Sequence, residues 1–252
     1  MSTRLGIDVG NTHIKIGVLD GERVVDVWRF RTDSERSVDE YYFQLQNVCR
    51  EAKLDTIPEL LIASVVPSVT IAFQLLEETR GVKSSFIDVK SPLSYGFHPA
   101  INHQVGADIL ILAEAAVRLK GKDVIIVSAG TATTVFAVSD GVFQGGAISP
   151  GIKGSVESLI AKAALLKTVY LDVPNSPIGQ NTDDAVRSGV IFGYAGMIDG
   201  LVTRMREQLG KPDMPVLASG GMIAKFAKVS RTIHEIKPDL GIQGLAYLSG
   251  KL

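Results

Sequence analysis

Residues 5–30, LGIDVGNTHIKIGVLDGERVVDVWRF, alternate apolar runs with two turn signals, Gly-Asn-Thr and Asp20-Gly21. An Asp-Gly pair between strand-like runs predicts a β-hairpin. Residues 125–147, IIVSAGTATTVFAVSDGVFQGGA, repeat the pattern: at an offset of 120, Gly10 falls on Gly130, Asp20 on Asp140 and Gly21 on Gly141. The matching apolar pattern predicts that one hairpin unit occurs twice. Helical periodicity follows from Val38 to Lys53, then an apolar strand at 60–66 and a helix opened by Pro67, a residue favoured in a first turn. In the second half the pattern predicts a helix after Gly151, a helix from Asp183 to about Leu209 capped by Thr182, and a strand Val216–Ala218 broken by Gly220-Gly221. A last helix is expected from Asp239 to Leu248. Hairpin groups followed by helices give an α/β protein of two subdomains, 1–118 and 119–252, divided near the polar stretch RLKGKD.

Composition narrows the function. The 252 residues are 46% hydrophobic and 21% charged, the range of a folded globular chain rather than a disordered one. Twenty-six basic against 27 acidic residues leave a net charge of −1, with no excess to attract nucleic acid. The single cysteine, Cys49, excludes an intrachain disulfide, and four scattered histidines give no metal-ligand spacing. Cys49 on a helix face reads as a small core residue. No signal-like N-terminus and no uninterrupted apolar run of about 20 residues is evident, so the expectation is a cytoplasmic protein without a membrane partner.

The candidate chemistry lies in the repeated turns. Asp8-Val9-Gly10-Asn11-Thr12 presents backbone N–H groups in a small concavity suited to phosphate oxygens, and Asp8 is the natural place to hold Mg²⁺ or its waters. Taken alone, one such hairpin is more simply a turn whose Asp and Asn bond local backbone. The segment GGAISPGIKG resembles a Walker A loop only superficially, since Lys153 is followed by Gly154.

With two facing copies, the pattern resembles the acetate kinase, sugar kinase, Hsp70 and actin superfamily, and within it the type III pantothenate kinases. The resemblance rests on IDVGNTHIKIGV, ASVVP at 63–67, VGAD at 105–108, GTATT at 130–134, GGAISPG at 145–151, the segment 178–201 and ASGGM from 218. It implies two duplicated actin-like (ribonuclease H-like) subdomains with an ATP cleft between them, ATP and Mg²⁺ as cofactors, pantothenate as substrate and a homodimer. It places Asp8, Val9, Gly10, Asn11, Thr12, His13, Ile14, Lys15 and Thr131 at ATP, with Asp8 also at the metal. Asp108 becomes the base that takes the proton of the pantothenate hydroxyl, with Tyr95, Gly106, Ala107, Ile109 and a partner subunit's Thr182 at the substrate. From the residues alone, Asp108 reads as a helix N-cap, Tyr95 as a half-buried strand aromatic and Thr182 as a cap. Ser219-Gly220-Gly221 resembles the superfamily's adenosine-side turn.

Two positions depart from the family pattern. Ile109 stands where Arg usually follows Gly-Ala-Asp, and Ser128 where an Asp usually helps hold a monovalent cation, potassium or ammonium. His98, His103 and Lys153 are candidate replacements for the missing cation. The departures leave open a relative that binds nucleotide without turnover, or a kinase of another small alcohol.

Overall fold

A computed structural model describes residues 3–101, 104–162 and 170–252. The chain divides into two compact units, 1–119 with 239–252, and 120–238. The last 14 residues, Asp239–Leu252, therefore belong with the first unit, which corrects their assignment to the second half.

The first unit opens with β1 (Thr3–Val9), β2 (His13–Asp20) and β3 (Arg23–Arg31). It continues with α1 (Val38–Glu51), β4 (Leu60–Ser64), α2 (Pro67–Arg80), β5 (Ser84–Phe86), β6 (Gly96–Phe97) and α3 (Ala107–Lys120). Its sheet runs β3-β2-β1-β4-β5, antiparallel across the hairpins and parallel from β1 to β4 and β5. Leu5, Ile7 and Val9 of β1 pack with Tyr41, Leu45, Phe73 and Leu76 from α1 and α2. With side chains alternating along a strand, Gly6 and Asp8 face the other way, towards α3 and the returning C-terminal helix. Local signals set the helix ends: Ser37 and Glu40 form a capping box on α1, and α2 stops at Gly81 in the left-handed region.

The second unit contains β7 (Val124–Ala129), β8 (Ala132–Ser139), β9 (Val142–Pro150), α4 (Ile152–Lys162), α5 (Thr182–Leu209), β10 (Val216–Ser219), α6 (Ile223–Ala227) and β11 (Glu235–Ile236). These strands run β11-β10-β7-β8-β9. Ile125, Val127 and Val216 pack on Ile198 and Val202 of α5. The cap of α5 is Asn181, whose side chain accepts from the Asp184 N–H at 2.9 Å; Thr182 is its first helical residue, not its cap. The 28-residue α5 is long and apolar enough to cross a bilayer by length and composition, although no such run was expected. In the structure it buries Val190, Ile191, Ala195, Ile198 and Val202 within its unit. The closing helix, α7 (Leu240–Ser249), returns to the first sheet, where Ile242, Leu245 and Leu248 meet Leu61, Leu110 and Ile111.

The repeat is real but slips by one residue. In the first hairpin Asp8 pairs with Lys15, and in the second Ser128 pairs with Thr134, so the offset is 120 on the first strand and 119 on the second. The first turn closes Gly10 N–H on His13 O, and the second, one residue tighter, closes Gly130 N–H on Ala132 O. Thr12 and Thr131 are therefore equivalent. Both units also carry a register shift at the shorter offset, at Val18/Leu19 and Ala137/Val138. The two Asp-Gly pairs consequently sit one place apart in their hairpins.

Candidate active site

In the first unit Asp8 and Asp108, both singled out in the sequence, lie close enough for the Asp108 charge to act on Asp8. Asp8, near the end of β1, faces Lys15 directly across the ladder. Burial raises the Asp8 carboxyl to about 6; Lys15 opposes that rise, while Asp108 and Asp239 add to it. Lys15 is held in turn, its Nζ 3.0 Å from Asp239 Oδ1, which Arg29 also approaches at 3.2 Å. Asp239 ends the segment leading into α7, and Gly241 completes the arrangement: a Cβ there would lie 2.8 Å from Asp8 Oδ2. A side chain on residue 241 would displace the carboxylate. Neither Asp239 nor Gly241 was flagged by the sequence, because nothing local ties them to a strand more than 200 residues earlier.

Asp108 is the second residue of α3, inside its first turn rather than the cap. Its Oδ1 accepts the Ile109 N–H at 2.9 Å, and burial raises its pKa against the lowering effect of that amide and its own. Gly106 leaves room for this folded-back carboxylate, since a Cβ would fall 2.5 Å from Asp108 Oδ1. Ala107 is buried and Ile109 half-buried beside it. Tyr95 is buried, not half-buried, and precedes β6 instead of lying within a strand. Its hydroxyl donates to Leu110 O of α3 at 3.1 Å, and burial together with the Glu114 charge pushes the phenol well above its ordinary value.

The phosphate-side segment divides by side-chain direction. Val9 and Ile14 are fully buried in the core, so only their backbone can meet a ligand. Asn11, Thr12 and His13 are exposed, Gly10 is half-buried, and Thr32 braces the turn through its hydroxyl to Gly10 O at 2.6 Å.

In the second unit three motifs far apart in sequence meet at the Ala129–Thr131 turn. Gly151 N–H donates to Thr131 O at 3.1 Å, and a Cβ on Gly151 would approach that oxygen to 2.2 Å. On another side a Cβ on Gly220 would fall 2.3 Å from Ala129 O, and Gly220 has φ +108°. GTATT, SPG and SGG are thus one backbone cradle, with Gly130 and Thr131 exposed at its rim. Ser128 is half-buried opposite Thr134 and brings no charge. Thr182 is exposed and lines a groove of about 490 Å³ with Ser155, Leu159, Val186 and Tyr194.

Of the candidate substitute cations, His98 and Lys153 have local surface partners. His98 is exposed and its Nδ1 accepts the Ala100 N–H at 3.2 Å. Lys153 lies on the surface 4.0 Å from Glu157, and His103 lies outside the described residues. Cys49 is buried in the first core. Among the described residues no cluster of three or more His, Cys, Asp or Glu forms a metal cage. The crowding of carboxylates at Asp8 nevertheless fits a Mg²⁺ ion held by one carboxylate, waters and substrate phosphates.

Comparison with known proteins places this geometry. The fold is that of the actin-like ATPases and sugar kinases: a polyphosphate/ATP-glucomannokinase from Arthrobacter superposes with a TM-score of 0.54 at 16% identity, covering 100% of this chain and 99% of the other. The component A protein of (R)-2-hydroxyglutaryl-CoA dehydratase from Acidaminococcus fermentans gives 0.58 at 14%, covering 100% and 97%. At the level of sequence, the type III pantothenate kinase family model matches residues 4–204. Relatives of that name from Streptomyces griseus and Roseiflexus are 40% and 39% identical, each covering 96% of this chain and 95% and 96% of their own. The chain belongs to the type III pantothenate kinase family.

Proposed function

We propose that the protein transfers the γ-phosphoryl group of ATP to the primary hydroxyl of pantothenate, giving 4′-phosphopantothenate, the first step of coenzyme A synthesis. The observation that carries this reading is the pair of half-buried carboxylates, Asp8 and Asp108, close enough for the Asp108 charge to raise the Asp8 pKa and set beside Lys15 in a chain of this family. The hydroxyl oxygen attacks the γ-phosphorus, the bond to the β–γ bridging oxygen breaks, ADP leaves, and the hydroxyl proton passes to Asp108. Burial makes Asp108 a stronger base than an exposed aspartate, while its position on α3 fixes where that proton is received. In the first unit Lys15, Thr12 and the N–H groups of the Gly10 turn suit phosphate oxygens, and in the second Thr131 and the N–H groups of its own turn do the same. Mg²⁺, held at Asp8, supplies charge neutralisation on the phosphate chain when bound.

Ser128 offers only a neutral oxygen, so turnover proceeds without the potassium or ammonium dependence a carboxylate there would support. Ile109 leaves the substrate side without the family's cation and lowers affinity rather than removing the base. Two copies join along α5, where Gly189, Gly193 and Gly196 are exposed and leave the helix surface open to a close partner. That arrangement delivers Thr182 to the neighbouring subunit, as a cytoplasmic homodimer. Purified protein with ATP and Mg²⁺, offered pantothenate beside other hydroxylated acids and amides, forms a product of phosphopantothenate mass; absence of that product in all cation conditions contradicts the reading.

A further inference from the structure

Glu114 is the one charged side chain in the buried class among the described residues, with no exposed surface. It lies on α3, six residues after Asp108, and both of its carboxylate oxygens accept hydrogen bonds. Oε2 accepts the Ser94 N–H at 2.6 Å, and Oε1 accepts the Ser94 hydroxyl at 2.7 Å and Lys251 Nζ at 2.7 Å. Lys251 donates as well to Ser94 Oγ at 2.6 Å and Pro92 O at 3.0 Å, so its three protons all have acceptors. The network is closed, and every member touches the segment 92–94 that leads directly into Tyr95.

A buried ion pair is weak evidence for stability, since apolar residues of the same volume usually serve as well. What an apolar pair cannot do is accept the Ser94 N–H and hydroxyl. The carboxylate therefore specifies a loop position, and fully satisfied polar networks are suited to holding one conformation. A turn upstream on the same helix, Leu110 O receives the Tyr95 hydroxyl. One rigid helix thus fixes the loop at two points and carries Asp108 at its start.

We infer that Glu114, clamped by Lys251, is a positioning residue that sets the Ser94–Tyr95 segment against Asp108, and so the orientation of the acceptor alcohol. The inference rests on the proposed pantothenate site at Tyr95. Glu114→Leu removes both acceptors for Ser94, and the KM for pantothenate rises about tenfold or more while the KM for ATP stays within about twofold, the scale of one lost charge-assisted hydrogen bond. Glu114→Gln keeps an acceptor for the Ser94 N–H and recovers most of the pantothenate KM. Glu114→Leu with Lys251→Met removes the unpaired ammonium, recovering melting temperature but not KM, which separates positioning from folding.

Amide exchange across residues 92–98 supplies a readout independent of turnover: protection falls in Glu114→Leu and is kept in Glu114→Gln. Unchanged exchange there, or KM values for both substrates rising together, overturns the inference. If the unaltered protein forms no phosphopantothenate, the proposed function fails, while the exchange result still upholds or overturns the positioning role.

Discussion

The two hairpin turns share a backbone and differ in charge. Thr12 and Thr131 occupy equivalent places, yet Asp8 faces Lys15 across the first ladder and Ser128 faces Thr134 across the second. The first turn surrounds a carboxyl raised to about 6 by burial, with two more carboxylates adding to the rise. The second is closed by glycines whose Cβ atoms would collide with its carbonyl oxygens. Both copies keep the means of presenting main-chain N–H groups, which any phosphate can use, and in this chain only the first keeps a carboxylate on the strand before the turn. Charge at a buried position is costly, so a unit keeps it where proton transfer or metal binding requires it.

The largest effect that would break this comparison belongs to the first unit. Asp108→Asn lowers kcat by about 10²–10⁴-fold, the usual contribution of a positioned base, with the fold unchanged by circular dichroism. Asp8→Asn abolishes metal-supported turnover yet stabilises the unliganded protein. The folded pKa of Asp8 lies above its ordinary 3.8, so its burial costs nothing below pH 4, costs progressively more up to about pH 6 and then levels off. From a difference of about two pH units the gain in the Asn variant reaches roughly 3 kcal/mol above pH 6, and melting curves at pH 4 and pH 8 measure it.

Smaller effects sharpen the account of the second unit. Gly220→Ala strains a residue at φ +108° and pushes on Ala129 O, raising the KM for ATP about tenfold without changing the KM for pantothenate. Ser128→Asp gives the second turn the charge of the first: turnover of the parent is the same in sodium and potassium, whereas the variant acquires a potassium response. A variant indifferent to the cation would remove Ser128 as the reason for that behaviour. Sedimentation of Gly193→Leu reports least, a shift from dimer towards monomer if α5 is the shared face.

Much of this was legible in sequence because it is local. Asp-Gly turns, the Pro67 start of α2 and the apolar periodicity of α1 each act over a few residues, as does the proximity of Gly106 to Asp108. The one-residue slip between the hairpins escaped because matched glycines at a constant offset concealed a tighter turn at Gly130. Asn181 rather than Thr182 caps α5, since either side chain can accept a helix-terminal N–H and only the backbone entering the helix decides. Asp239, Gly241 and the Glu114–Lys251 pair carry no local signal; they join segments that only the return of α7 to the first sheet brings together. A buried Glu in an otherwise apolar helix, LILAEAAV, was the one hint available.

The most direct test is the initial rate of phosphopantothenate formation, identified by mass, for the unaltered protein and Asp108→Asn at saturating ATP, Mg²⁺ and pantothenate. A rate in the parent that falls by about 10²–10⁴-fold in the variant is the predicted result. Equal rates, or no product from the parent, would contradict the assignment of the chemistry to the first unit's carboxylates.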